Sequence, residues 1–222
     1  MTTVAPVAMQ RNINFKGISQ SENGVPYHKS NTGLITGSGI GGLGALSHLS
    51  MGSVVDSLKK SHNTGVVNIT EEELRNMEKM KKYAIPFALI AAAMSIGCGV
   101  LVDNIRNKKA AETADVVASS KNINEAFMRD ENLQVDKYGL PYHHSNTGTK
   151  SGALLGAACG IAHGAMSSVT SKSATNIIIM NVLSGAATMA LAGWGVGALY
   201  DKTVNGKAQD ASMKIYARQA QM

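Results

Sequence analysis

Asn23-Gly24-Val25-Pro26-Tyr27-His28-Lys29-Ser30-Asn31-Thr32-Gly33 returns later in the chain as Tyr138-Gly139-Leu140-Pro141-Tyr142-His143-His144-Ser145-Asn146-Thr147-Gly148, identical at eight of eleven places. Agreement of that length marks a duplicated unit. The register continues without a gap, pairing Gly37 with Gly152, Gly41 with Gly156, His48 with His163, Met51 with Met166 and Ser53 with Ser168. A second match closes each unit, where Asp103, Asn107, Lys109 and Ala110 correspond to Asp201, Asn205, Lys207 and Ala208. The offset has shortened between the two matches. The first copy therefore carries the longer inner connection, Asp56 to Tyr83 against Thr170 to Asn176.

Between the matched ends lie four stretches of the length that crosses a hydrocarbon core: Gly33 to Val55, Ala84 to Val102, Lys150 to Val169 and Ile177 to Tyr200. The second and fourth are rich in Ala, Ile, Leu, Met and Val, and free of charge until Asp103 and Asp201. The first and third hold many Gly and Ser residues and one His each, so they gain little from lipid and are expected to pack inside a bundle or oligomer. The expected fold is all-α and membrane-integral, with two tandem glycine-rich helical hairpins supplying four membrane-embedded helices. The boundaries are a polar segment over 1–32, a first hairpin over 33–110, a polar linker carrying the second motif over 111–147, a second hairpin over 148–208 and an amphipathic tail over 209–222.

Glycine spacing supplies the expected packing. Gly33, Gly37 and Gly41, and Gly152, Gly156, Gly160 and Gly164, recur every four residues and leave one helix face almost bare. Gly193 and Gly197 continue the pattern in the fourth stretch, as do Ala91, Ser95 and Gly99 in the second. Backbones bearing such faces approach closely, whereas the same glycines in a water-exposed helix would each cost about 1 kcal/mol. Thr70 followed by Glu71, Glu72 and Glu73 has the form of a capping box and predicts a charged helix from there to Lys82.

Composition agrees with a membrane protein. Charged residues make up only 16%, aromatics 5%, and the mean hydropathy of −0.02 averages polar connections with charge-free stretches. The net charge of +6 is scattered over connecting segments with no basic-aromatic platform, which excludes nucleic acid as the expected partner. The expected partners are the bilayer, further copies of the chain and proteins met by the polar segments. No apolar run of the secretory type opens the chain, so insertion is expected to use internal segments. Fourteen of the twenty-one Lys and Arg residues fall on the side of the termini and central segment, which leans towards cytoplasmic termini.

Candidate chemistry is sparse. No GxSxG, HExxH, Walker loop or paired CxxC is present, so an enzyme is not expected, and no cofactor or metal is implied. Cys98 and Cys159 sit in apolar stretches and are expected to be small buried thiols. Ser, Asn and Thr of the repeated motif stand where they can accept bonds from the first amides of the following helix, with Tyr27 and Tyr142 at headgroup level. The alternative is a ligand or ion site made by the two motifs facing each other, with His28 and His143 as candidates. His48 and His163 lie within membrane stretches, where an ionisable group commonly faces a partner helix or a water path.

Four glycine-patterned helices without a presequence are loosely similar to the mitochondrial translocase family, whose diagnostic motif has no match here, so that resemblance assigns nothing. Apolar hairpins on a polar chain are also similar in composition to bacterial secreted effectors that insert into host membranes. Three readings follow: an oligomeric membrane scaffold or pore component, a delivered protein that inserts its hairpins later, and an ion transporter using His48 and His163.

Overall fold

The computed structural model describes residues 17–170 and 175–219. In chain order the elements are β1 (Ile18–Gln20), β2 (Pro26–His28), α1 (Thr32–Asn63), α2 (Glu71–Lys82), α3 (Ala84–Ser119), α4 (Ile123–Arg129), β3 (Leu133–Val135), β4 (Pro141–His143), α5 (Thr147–Thr170) and α6 (Thr175–Gln219). The architecture is mostly helical, of the all-α class. Two compact units divide it: Gly33–Leu101 forms one, and the described parts of 1–32 and 102–222 form the other.

In the unit over 33–101, α1 lies against the first half of α3 at backbone contact. A Cβ on Gly37 would strike the carbonyl of Ser95, one on Gly41 would come 3.0 Å from Ala92 Cα, and one on Gly99 would strike the carbonyl of Gly33. Beyond this contact, Val55 of α1, Leu74 of α2, and Ala84 and Ala88 of α3 are buried. The capping box is reciprocal: Thr70 N–H donates to Glu73 Oε2 at 2.9 Å, and Glu73 N–H donates to Thr70 Oγ1 at 3.2 Å. Those bonds favour the ionised carboxylate of Glu73 and lower its pKa. Exposed ion pairs, Lys59–Glu78 at 2.5 Å and Lys81–Asp56 at 2.6 Å, tie α2 to α1.

In the other unit, α5 packs along α6 through a ladder of glycines. Cβ atoms on Gly148, Gly152, Gly156, Gly160 and Gly164 would meet the carbonyls of Gly197, Gly193, Met189, Gly185 and Asn181 in turn. A side chain at any of these positions would force the two backbones apart.

Two helices are long and apolar enough to cross a membrane, Ala84–Ser119 and Thr175–Ala217. Their apolar halves are not a protein core, because Ile85, Leu89, Ile90 and Met94 of α3 and Ile179, Met180, Leu183 and Leu191 of α6 are exposed. α1 and α5 exceed the length of a span but do not reach the same apolar character among the described residues.

The helices run further than the hydropathy pattern suggests. α3 continues from Val102 to Ser119, and α6 continues without a break from Tyr200 to Gln219. At 1.5 Å per residue the 36 residues of α3 extend roughly 54 Å, more than a bilayer core is thick. The segment over 111–147 is also structured. It holds the end of α3, the short helix α4 and the β3–β4 pair. Asn122 caps α4 by accepting from Glu125 N–H at 3.0 Å, while Glu125 Oε2 accepts from Lys121 N–H, also at 3.0 Å. The cysteines differ from expectation: Cys98 is half-buried and Cys159 is exposed. A helix whose bare face already touches its neighbour turns its other side chains outward.

Candidate functional site

The repeated motif begins as a strand. β1 pairs antiparallel with β2 and β3 with β4, setting Ile18 opposite His28 and Leu133 opposite His143. Each connection is a tight turn with a glycine in the left-handed region, Gly24 at φ 77° and Gly139 at φ 78°. The turn bonds recur: Gly24 N–H donates to Ser21 O and Gly139 N–H to Asp136 O, each at 3.0 Å. Ser21 Oγ and Asp136 Oδ1 then accept the amides of Val25 at 3.1 Å and Leu140 at 2.9 Å. Ser and Asp share no identity, yet their side-chain oxygens do the same work, so the likeness of the two strand pairs extends beyond the identical residues.

After each strand the chain is held by an asparagine from a long helix. Asn107 of α3 accepts from Ser30 N–H at 2.7 Å and donates to Ser30 O at 2.9 Å. Asn205 of α6 does the same for Ser145, at 2.7 and 3.0 Å. A carboxamide carries one acceptor and one donor group, and it replaces the strand partner that Ser30 and Ser145 lack. The serine hydroxyls accept from Thr32 N–H at 3.0 Å and Thr147 N–H at 3.2 Å, within the first turns of α1 and α5. At α5 the cap is completed from α6, where Asp201 accepts from Gly148 N–H at 2.9 Å, Thr149 N–H at 2.7 Å and the Ser145 hydroxyl at 3.0 Å. A carboxylate there meets the positive end of the helix dipole.

Tyr142 is buried, its hydroxyl donating to Gln134 Oε1 at 3.1 Å and accepting from Gln209 Nε2 at 3.0 Å, and it is therefore not a headgroup anchor. Tyr200 donates to Asp103 at 2.9 Å. The first turn is tied to α3 by the Ser21 hydroxyl, which donates to Asp115 at 2.5 Å.

Between the two Tyr-His strands and the far ends of α3 and α6 lies a cavity of about 80 Å³. His28 and His143 both line it, together with Arg106, Thr113, Ala114 and Tyr216. Arg106 is wholly buried. Its Nη1 donates to the carbonyl of His28 and to Asn107 Oδ1, the latter at 3.3 Å. Burial lowers its pKa to about 10, which leaves it cationic at neutral pH, and the neighbouring Asp103 and Asp201 support the charge. Burial also depresses both histidines, with the Arg106 charge acting in the same direction, so His28 falls to about 3 and His143 to about 4. Both imidazoles are neutral at pH 7.

Thr113 fixes the tautomer of His143. Its single hydroxyl proton is directed to acceptors, Asp130 Oδ2 and the carbonyl of Lys109 at 3.0 Å, and its oxygen stands 2.8 Å from His143 Nδ1. Nδ1 therefore carries the imidazole proton, and Nε2 presents a lone pair.

Sequence reasoning names His28 and His143, and the structure brings them to one cavity. It misses Arg106, Thr113 and the asparagine clamps. The available signal was the run of Asp103, Arg106 and Asn107 at the end of an apolar stretch, with Asp201 and Asn205 matching two of the three. His48 lies in α1 and His163 in α5, and their side chains are outside the described residues. Among the described residues no group of three or more His, Cys, Asp or Glu side chains could hold a metal ion. No protein-family model, curated protein or solved structure matches this chain.

Proposed function

We propose that the chain is a non-enzymatic, multi-pass membrane scaffold. Two glycine-zippered helical hairpins insert in the bilayer, and the clamped β-strand pairs with the ends of α3 and α6 form a water-side headpiece. The carrying observation is the contrast along single helices. The first halves of α3 and α6 expose Leu, Ile and Met, while their second halves bury Arg106, Asn107, Asp201 and Asn205 in a hydrogen-bonded junction. Exposed aliphatic residues on a charge-free span are stable in lipid and costly in water, and the reverse holds for the polar halves.

Four spans place the termini and central segment on one side, and the excess of Lys and Arg there favours the cytoplasmic side. Both hairpins then share one orientation. Glycine faces left open, at Gly39, Gly42 and Gly44 of α1, are available to further copies of the chain. A second reading is a delivered protein that inserts conditionally, and it is favoured by the modest apolar character of α1 and α5. It predicts a chaperone-bound soluble pool, which a resident scaffold lacks.

Cysteine accessibility tests the scaffold reading. In a chain with Cys98→Ser and Cys159→Ser, reconstituted in liposomes, Ile90→Cys and Leu183→Cys should resist an impermeant maleimide until detergent is added. Lys121→Cys should label on intact vesicles of one orientation. Equal labelling of all three without detergent would remove the reading.

A further inference from the structure

Arg106 is the anomaly of the headpiece. The match of Asp103 and Asn107 with Asp201 and Asn205 sets Arg106 opposite Val204 in the second copy, and both side chains are fully buried. The same local frame therefore accepts an aliphatic residue, so the fold does not require a guanidinium there. Thr113 similarly corresponds to Ala211. A buried arginine with unused donors is costly, since each unpaired buried donor forfeits its hydration. Nη1 is occupied, but Nε and Nη2 have no hydrogen-bond partner among the described residues. These two groups form one edge of the guanidinium, the edge that receives a carboxylate side-on through two parallel bonds.

Two further buried atoms on the cavity residues lack partners, Nδ1 of His28 and Nε2 of His143. With Nδ1–H of His143 committed to Thr113, its Nε2 requires a donor and would repel a second carboxylate oxygen. The complement to this set is an acceptor pair joined to a hydroxyl. Val25, Ala110, Ala114, Val117, Leu133 and Ile215 give the wall apolar ground, alongside Tyr27, Tyr142, Ser212 and Tyr216. A volume of about 80 Å³ suits a molecule of a few heavy atoms and is too small for a nucleotide or a sugar phosphate.

We propose that this cavity binds a small hydroxycarboxylate, with the carboxylate on the Nε–Nη2 edge of Arg106 and the hydroxyl donating to Nε2 of His143. The short carbon chain lies against the alanines of α3. The proposal does not depend on how many helices cross the bilayer, because every group it uses belongs to the headpiece.

The test is calorimetric titration of the full chain in lipid nanodiscs with sodium lactate, propionate and lactamide. Lactate should bind saturably. Propionate, which lacks only the hydroxyl, should bind about fivefold more weakly, the equivalent of one hydrogen bond. Lactamide, which lacks the charge, should show no saturation. Arg106→Lys keeps the charge but loses the two-pronged edge, and Ala114→Leu fills the cavity without touching a polar group. Each should weaken lactate binding by about tenfold or more. Absence of saturable lactate binding to the wild-type chain overturns the proposal whether or not the variants fold. Equal affinity for lactate and lactamide overturns the role of Arg106, and equal affinity for lactate and propionate overturns that of His143.

Discussion

The asparagine clamps are the smallest parts on which the headpiece depends. Asn205 satisfies both the N–H and the C=O of buried Ser145, so Asn205→Ala leaves two buried backbone groups unpaired. Each such loss costs about 1–3 kcal/mol. Chemical unfolding should show a loss of roughly 2–4 kcal/mol, and a change under 0.5 kcal/mol would mean that water substitutes freely for the carboxamide. His143 supplies a pH signature at the same scale. Its pKa lies near 4 in the folded chain, against an ordinary 6.5, because it is buried beside Arg106, with Lys109 and His144 acting in the same sense and Asp130 against them. Below pH 6.5 the unfolded chain takes up a proton that the folded chain refuses. Stability is therefore full above about pH 6.5 and falls towards pH 4, by about 3 kcal/mol for this group. His143→Gln should flatten that part of the stability profile by about one proton. An unchanged slope would place the acid sensitivity elsewhere. The motif was legible in sequence because its Pro, Tyr, His, Ser, Asn and Thr are repeated letter for letter. The bonds at Ser21 and Asp136 were not legible, because two different residues offer the same oxygen.

At the scale of elements, glycine spacing separates positions that touch a neighbour from positions that do not. Gly156 lies against the carbonyl of Met189, whereas a Cβ on Gly195 would meet nothing within 4 Å. Gly156→Ala should lose about 1–3 kcal/mol through separation of the backbones, and Gly195→Ala should gain about 0.5–1 kcal/mol of helix propensity. Thermal unfolding in detergent checks both, and equal effects would mean that the ladder between α5 and α6 contributes no specific packing. The four-residue period is a feature of the sequence itself, where small residues at one spacing define one bare helix face. The length of α3 and α6 was not readable there, since hydropathy changes sign at Asp103 and Asp201 while helix propensity does not. Ala, Lys, Glu and Asn carry the helix on where the apolar run ends. The capping box at Thr70 and Glu73 was readable, and the equivalent signal at Asn122 and Glu125 has the same three-residue spacing.

Apolar exposed stretches and buried polar junctions follow one another along single helices of this chain. Exposed Ile, Leu and Met line the first halves of α3 and α6, two helices long and apolar enough to cross a membrane, and the buried polar residues of the junction lie in their second halves. Average composition conceals this division, because a mean hydropathy of −0.02 is the sum of two unlike parts. The most direct test of membrane insertion is alkaline carbonate extraction of membranes from cells expressing the full chain, compared with a variant carrying Ile90→Arg and Leu183→Arg. Each arginine at a span centre costs about 2.5–3.5 kcal/mol of insertion free energy. The wild-type chain should remain in the pellet and the variant should be released in substantial part. Release of the wild-type chain into the soluble fraction would contradict insertion and leave the apolar faces of α3 and α6 to be covered by protein.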